Sequence, residues 1–194
     1  ATAATLNAGG AANYTWTSSS GSSNNTSYIV NPASNTTYSL YGVTGPCAGA
    51  TVITIATKAL PTLSVNVTNS TVCSGQSANL SVVGTASAYV WNPGGTSGTN
   101  ITVNPTVTTL YSVTGTNSLN CVNTANQVII VNTLPIVTAA VANPVVCVNG
   151  SATLSATGGN TYLWSDATTN TVDIVHPSTA AVYTVTGTDS NGCS

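Results

Sequence analysis

Three observations in the sequence predict an all-β chain built from three tandem copies of one small sandwich. Landmark residues return at a period of about 73. Within each copy apolar and hydroxyl residues alternate, the period-2 pattern of a strand with one wet face. Clusters of Gly, Pro, Asn and Ser cut the chain into short segments, and no segment sustains a 3.6-residue period over three turns.

The period is carried by five landmarks. Trp16, Trp91 and Trp164 lie 75 and 73 apart; Tyr38, Tyr111 and Tyr183 lie 73 and 72 apart. Pro32, Pro105 and Pro177 are 73 and 72 apart, Cys47, Cys121 and Cys193 are 74 and 72 apart, and Cys73 and Cys147 are 74 apart. Self-similarity this regular marks a repeat architecture. The copies are expected at 1–60, 61–134 and 135–194, the first without its opening strand and first cysteine and the last without its closing strand. Their joins fall at Ala59-Leu-Pro-Thr62 and Thr133-Leu-Pro-Ile136. Joins this short predict units stacked end to end, a rod-like array with little hinge freedom.

In the middle copy, strands are expected near 62–68, 77–83, 88–92, 100–104, 109–115 and 126–133, with room for one short edge strand. Thr, Val, Ile and Tyr dominate them, residues that favour a pleated surface. The third carries Tyr89-Val-Trp91, repeated as Tyr14-Thr-Trp16 and Tyr162-Leu-Trp164, and residues at i and i+2 share one face of a strand. The fifth carries Tyr111-Ser-Val113-Thr-Gly, repeated as Tyr183-Thr-Val185-Thr-Gly and Tyr38-Ser-Leu40-Tyr-Gly. Trp16, Trp91, Trp164, Tyr38, Tyr111 and Tyr183 are therefore the expected core. Six or seven short strands around a Trp and a later Tyr fit a small β-sandwich.

Composition narrows the partners. Of 194 residues only Lys58, Asp166, Asp173 and Asp189 are formally charged, with one histidine, His176. Thr and Ser number 36 and 23, so hydroxyls take the place of charge on the exposed faces. One basic residue cannot neutralise a phosphate backbone or an anionic membrane surface, which argues against nucleic acid and membrane binding. No apolar run approaches the ~20 residues of a membrane helix, and the start of the sequence lacks the basic and apolar regions of a signal peptide.

Five cysteines in so unreactive a chain suggest disulfides and an oxidising compartment. Cys73 precedes the second strand of its copy and Cys121 follows the strand of Tyr111; Cys147 and Cys193 hold the same two places. The expected pairs are Cys73–Cys121 and Cys147–Cys193, each closing a loop of roughly 50 residues worth about 4 kcal/mol in chain entropy. By the alignment of Leu6 with Leu80 and Leu154, the partner of Cys47 falls two residues before Ala1, so Cys47 is expected unpaired or paired outside the chain. The spacing suggests a window on a longer array, or a filament subunit whose neighbours donate strands.

Other chemistry is poorly supported. The cysteines form no CxxC pair and have no nearby histidine, against metal or redox use. His176 could join Asp173 or Asp189 in a Ser–His–Asp triad, but His176-Pro177 aligns with Asn104-Pro105 and Asn31-Pro32, a turn position that accepts Asn. Asp189 aligns with Asn117, and a lone Asp per loop reads as a turn former rather than a calcium ligand. Asn-x-Ser/Thr sequons occur about as often as this composition gives by chance, and Tyr28 and Tyr41 are the only unrepeated aromatics. No enzyme activity, cofactor or metal is expected.

Cys73-Ser-Gly-Gln-Ser-Ala-Asn-Leu80, Tyr89-Val-Trp91, Val103-Asn-Pro105, Tyr111-Ser-Val-Thr-Gly-Thr116 and Cys121 together resemble the tandem Ig-like, PKD-like repeats of giant Bacteroidota cell-surface adhesins, including the gliding-motility type. The resemblance spans the whole chain. It implies an immunoglobulin-like sandwich in each repeat, an extracellular site, export through the dedicated outer-membrane route, and a stalk or adhesive role. The expected function is thus a disulfide-stapled segment of an extracellular filament or giant adhesin. Its partners would be further repeats of the same chain or neighbouring subunits. A polysaccharide-binding module, or a polymerising subunit that exchanges strands, is the alternative.

Overall fold

A computed structural model of the chain describes residues 3–194. The described residues are all-β, with eighteen strands and no helix. They fall into two compact units, Ala1–Leu60 and Pro61–Ser194.

The first unit contains β1 (Ala4–Asn7), β2 (Asn13–Ser18), β3 (Gly21–Ser23), β4 (Ser27–Val30), β5 (Thr36–Thr44) and β6 (Cys47–Ile55). β1 pairs with β4, and the other four form a sheet in the order β3-β2-β5-β6. β5 and β6 make a long hairpin, in register from Thr36 opposite Ile55 to Thr44 opposite Cys47.

The second unit holds two repeats. The first has β7 (Leu63–Val67), β8 (Thr71–Cys73), β9 (Ala78–Gly84), β10 (Ala88–Asn92), β11 (Asn100–Val103), β12 (Thr109–Thr116) and β13 (Val122–Asn132). One sheet runs β11-β9-β7 and the other β10-β12-β13-β8. The edge strand β8 crosses to the second sheet and runs parallel to β13, placing Cys73 beside Asn132. Two sheets joined this way over one core make an immunoglobulin-like sandwich. The last strand begins at Val122, four residues before the expected 126, because a tight turn closes the β12–β13 hairpin.

The next repeat has β14 (Thr138–Val141), β15 (Ala152–Thr157), β16 (Thr161–Trp164), β17 (Val172–Val175) and β18 (Val185–Thr188). Its sheets, β14-β15-β17 and β16-β18, reproduce β7-β9-β11 and β10-β12.

Each repeat closes over one indole. Trp16, Trp91 and Trp164 are buried, and each donates its indole N–H to a backbone carbonyl a few residues on: Asn25 at 3.1 Å, Gly98 at 3.0 Å and Asn170 at 2.9 Å. A buried indole needs such an acceptor, so the bond fixes the loop while the ring fills the core. Around Trp91 pack Leu80, Val82, Tyr111, Val113 and Ile129; around Trp164 pack Leu154, Ala156, Tyr162 and Val175; Trp16 lies with Leu6, Val30 and Tyr38. Tyr183 is half-buried against the Trp164 cluster. On the wet faces hydroxyls pair across strands, as Thr138 with Thr157 at 2.7 Å and Thr37 with Thr54 at 2.9 Å. Such cross-strand pairs support a sheet without charge.

In each repeat of the second unit, two glycines let the opening strand lie close. A Cβ on Gly84 would meet the Thr62 carbonyl oxygen at 1.9 Å, and one on Gly158 would meet that of Ile136 at the same distance. A Cβ on Gly115 would press on Leu63 at 2.6 Å, and one on Gly187 on Val137 at 2.5 Å. The recurring Val-Thr-Gly is thus a packing requirement of the first strand. Gly84→Ala is expected to destabilise its repeat by about 1–3 kcal/mol, since backbone must move to admit the methyl. Gly49→Ala in β6, with nothing within 4 Å, is expected to leave stability nearly unchanged. Urea unfolding followed by tryptophan fluorescence checks both; equal effects would contradict the close-approach reading.

Candidate functional site: the cysteine turns

The chemistry-bearing side chains lie in two kinds of turn. The first precedes the second strand of a repeat. In Cys73-Ser-Gly-Gln76, the Gln76 N–H donates to the Cys73 carbonyl at 2.9 Å and the Gly75 N–H to Pro105 at 3.0 Å. In Cys147-Val-Asn-Gly150, the Gly150 N–H donates to the Cys147 carbonyl at 2.7 Å and the Asn149 N–H to Pro177 at 3.2 Å. Gly75 and Asn149 share a left-handed backbone, φ 81° and 59°, which glycine and asparagine tolerate best.

The second kind follows the strand paired with the Trp strand: it joins β12 to β13 in the middle repeat and follows β18, the last strand, in the next. In the middle repeat Asn117 Oδ1 accepts from Leu119 N and Cys121 N, both at 3.0 Å, and Asn117 N donates to the Cys121 carbonyl at 3.0 Å. In the next repeat Asp189 Oδ1 accepts from Asn191 N at 2.8 Å and Cys193 N at 2.9 Å, and Asp189 N donates to the Cys193 carbonyl at 2.9 Å. An Asx side chain capping the following N–H groups is a standard turn former. Cys47 opens β6 directly opposite Thr44, across a two-residue Gly45-Pro46 turn in place of the five residues, 117–121, between β12 and β13.

The bonded pair is Cys73 with Cys193, Cα atoms 5.5 Å apart and 120 residues apart in sequence. The expected pairs Cys73–Cys121 and Cys147–Cys193 do not form; Cys121 and Cys147 are free thiols, as is Cys47. Cys193 is taken by Cys73 and so is lost to Cys147; for Cys73 and Cys121 the reason is the length of β13. Cys121 sits just before its first residue and Cys73 beside its last. Eleven residues of strand separate them by roughly 35 Å at ~3.3 Å per residue. A disulfide needs Cα atoms within about 7 Å. The two turns of the middle repeat are therefore at opposite ends of its sandwich, and Cys73 meets instead the Cys193 turn of the following repeat. Cys193 is wholly buried there, whereas Cys147 and Cys47 are exposed.

Asp189 has its carboxyl held below the usual carboxylate range, chiefly by the Cys193 backbone N–H, which outweighs an opposing effect of desolvation, with the Asn191 N–H adding to it. Asp166 is lowered chiefly by the Thr168 backbone N–H, which donates to its Oδ1 at 3.1 Å. Asp173 is buried at the position that Ile101 fills in the middle repeat, and its Oδ2 has no hydrogen-bond partner. No sequence signal marked that carboxylate beyond its departure from an apolar repeat position. His176 is exposed. Tyr28 packs between Trp16 and Tyr38, ring centroids 6.4 and 6.0 Å away, while Tyr41 is largely exposed. Among the described residues no three His, Cys, Asp or Glu side chains converge. An open cleft of about 590 Å³ lies beside Trp164 and Tyr183. Among the described residues no helix is long and apolar enough to cross a membrane.

No protein-family model matches the chain. No curated protein matches it. Among solved structures, an amphioxus IgVJ-C2 molecule is similar at TM-score 0.32 and 10% identity, over 66% of this chain and 96% of that one. A structure from a 1.5-MDa bacterial ice-binding adhesin, described in terms of host cell surface retention, is similar at TM-score 0.29 and 17% identity, over 98% and 77%. Three N-terminal domains of the bacteriophage RB49 highly immunogenic outer capsid protein are similar at TM-score 0.29 and 16% identity, over 90% and 75%. The immunoglobulin-like assignment rests on the strand order and pairing above, not on these likenesses.

Two measurements check the turns. Peptide mapping after alkylation without reductant is expected to show Cys73 joined to Cys193 and label on Cys47, Cys121 and Cys147; label on Cys73 would contradict the pairing. Asp189, with its folded pKa depressed, contributes stability that is present above its unfolded value near 3.9 and lost as pH falls through the folded value. The NMR shift of the Cys193 amide should therefore move on acidification below about pH 4. In Asp189→Asn, which mimics Asn117, it should hold still.

Proposed function

We propose that the chain is a structural segment of an extracellular filament or giant cell-surface adhesin: immunoglobulin-like repeats whose task is mechanical, with no catalytic role. The observation that carries this reading is the Cys73–Cys193 bond across the join of two repeats. The peptide join between Asn132 and Thr138 is short, and the disulfide adds a second tether beside it. Two attachment points remove hinge freedom that one would leave. Closing a loop of 120 residues also adds about 5 kcal/mol by restricting the unfolded chain. That is a large share of the stability of small domains. A disulfide of this kind persists only in an oxidising compartment, which favours a location outside the cytosol.

The near-absence of charge fits the same role. A face of Thr, Ser and Asn gives no electrostatic attraction to nucleic acid or anionic lipid, and its partners in this reading are further repeats or neighbouring subunits. Adhesion by the repeats themselves, through surface polysaccharide, is the competing reading.

Small-angle scattering of the oxidised chain and of Cys73→Ser/Cys193→Ser tests the mechanical reading. The oxidised chain is expected to give a narrower distribution of distances than the variant, at unchanged β content. A glycan array run alongside separates the alternatives. Saturable binding abolished by changing a single loop, with no change in scattering between the two forms, would overturn the stalk reading.

A further inference from the structure

The chain carries three Asp or Glu side chains, and the fold puts two of them together. Asp173 lies on β17 directly opposite Leu154, a residue of the core. The same place is filled by Ile101, opposite Leu80, in the middle repeat and by Tyr28, opposite Leu6, in the first unit. Asp166 follows Trp164 by two residues, where the other copies have Pro93 and Ser18. Both carboxylates are thus confined to one repeat, and the other copies build the same framework without them.

Asp173 is only 7% exposed, and its Oδ2 is buried without a hydrogen-bond partner. Its carboxyl is directed at the β16–β17 turn, within hydrogen-bonding reach of the Asp166 side chain. Asp166 is exposed, and its Oδ1 is held in place by Thr168 N at 3.1 Å and Thr168 Oγ1 at 2.9 Å. Two ionised carboxylates in contact repel, and an unpaired buried charge is costly. No basic side chain of the repeat answers them: residues 135–194 contain no Lys or Arg, and His176 lies exposed past the end of β17. The third carboxylate, Asp189, follows the end of β18 that pairs with Thr161, a strand length from Trp164 and the Asp166 turn.

We propose that Asp166 and Asp173 are the carboxylate ligands of a site for a hard divalent cation of calcium's size. The ion supplies the positive charge that the pair lacks. Calcium takes about six to eight oxygens in irregular geometry; two carboxylates give up to four, and loop oxygens and water complete the shell. Magnesium demands near-octahedral order, which a loop and one strand are poorly placed to impose. With two acidic ligands, affinity is expected at about 10⁻⁴–10⁻³ M, the range of weak calcium sites. The proposal is independent of the stalk reading, and the two can fail separately.

The test uses the full chain, stripped with chelator and titrated with terbium as a calcium substitute under tryptophan excitation. The Trp164 indole N–H is bonded to Asn170 of the same loop, so bound terbium lies near a sensitising ring. Saturable emission that calcium displaces is expected. Asp173→Asn and Asp166→Ser should each weaken binding about tenfold or more. Asp189→Asn should leave it unchanged. Asp173→Ile, which restores the residue of the middle repeat, should abolish binding, yet without metal it should melt no lower than the native chain, because an apolar side chain replaces a buried unpaired charge. Calcium should then raise the melting temperature of the native chain and not that of Asp173→Ile. No saturable emission up to about 1 mM terbium, unchanged affinity in Asp173→Asn, or an equal loss in Asp189→Asn would each overturn the proposal.

Discussion

The length of β13 keeps the two cysteines of the middle repeat, Cys121 and Cys73, from meeting each other. A sandwich strand of eleven residues puts the turn at its start and the turn beside its end at opposite ends of the domain. A cysteine in each turn cannot bond its sequence neighbour of the same repeat, however favourable the loop entropy. It can bond only across a join, and the structure does so once, between Cys73 and Cys193. Small immunoglobulin-like domains commonly spend a disulfide on their own core beside the Trp. Here the core does without one, and the bond is moved to the boundary.

The core can do without it because the indole makes two contributions at the same place. Trp91 is fully buried, and its N–H is satisfied by the Gly98 carbonyl, so the apolar ring carries no orphan donor into the interior. The same arrangement holds at Trp16 and Trp164 despite loops of different length. The opening strand then docks over Gly84 and Gly115, or Gly158 and Gly187, where any side chain would collide. These contacts are local to one repeat and carry no charge. The turn carboxylates Asp166 and Asp189 are each held below the usual carboxylate range, chiefly by backbone N–H groups.

Much of the fold was legible because the sequence states it three times. The recurrence of Tyr-x-Trp and Tyr-x-Val/Leu-x-Gly located the two central strands, and the Asn117/Asp189 equivalence located a turn rather than a ligand. The start of β13 was misplaced because Val122 to Ala125 alternates weakly and follows a polar turn, so pattern alone could not separate turn from strand. Cysteine pairing was not legible for a different reason. Cys121 and Cys193 are equivalent positions, so pairing Cys73 within its repeat or with the next repeat uses the same two motifs. Periodic sequence is degenerate with respect to that choice, and only the direction and length of the strand between the turns break the degeneracy.

The staple and the peptide join act in parallel, and that arrangement has a mechanical consequence. A join alone leaves two domains free to rotate about a few backbone dihedrals. A second covalent link on a different strand converts rotation into deformation of turns that are themselves fixed by hydrogen bonds: Ser74 N to Asn132 at 2.9 Å on one side, and the Asp189 cap on the other. Opening the join therefore requires deforming both linked segments. In a domain whose surface offers almost no ionic contacts, a covalent bond at the boundary is the available means of transmitting order from one repeat to the next.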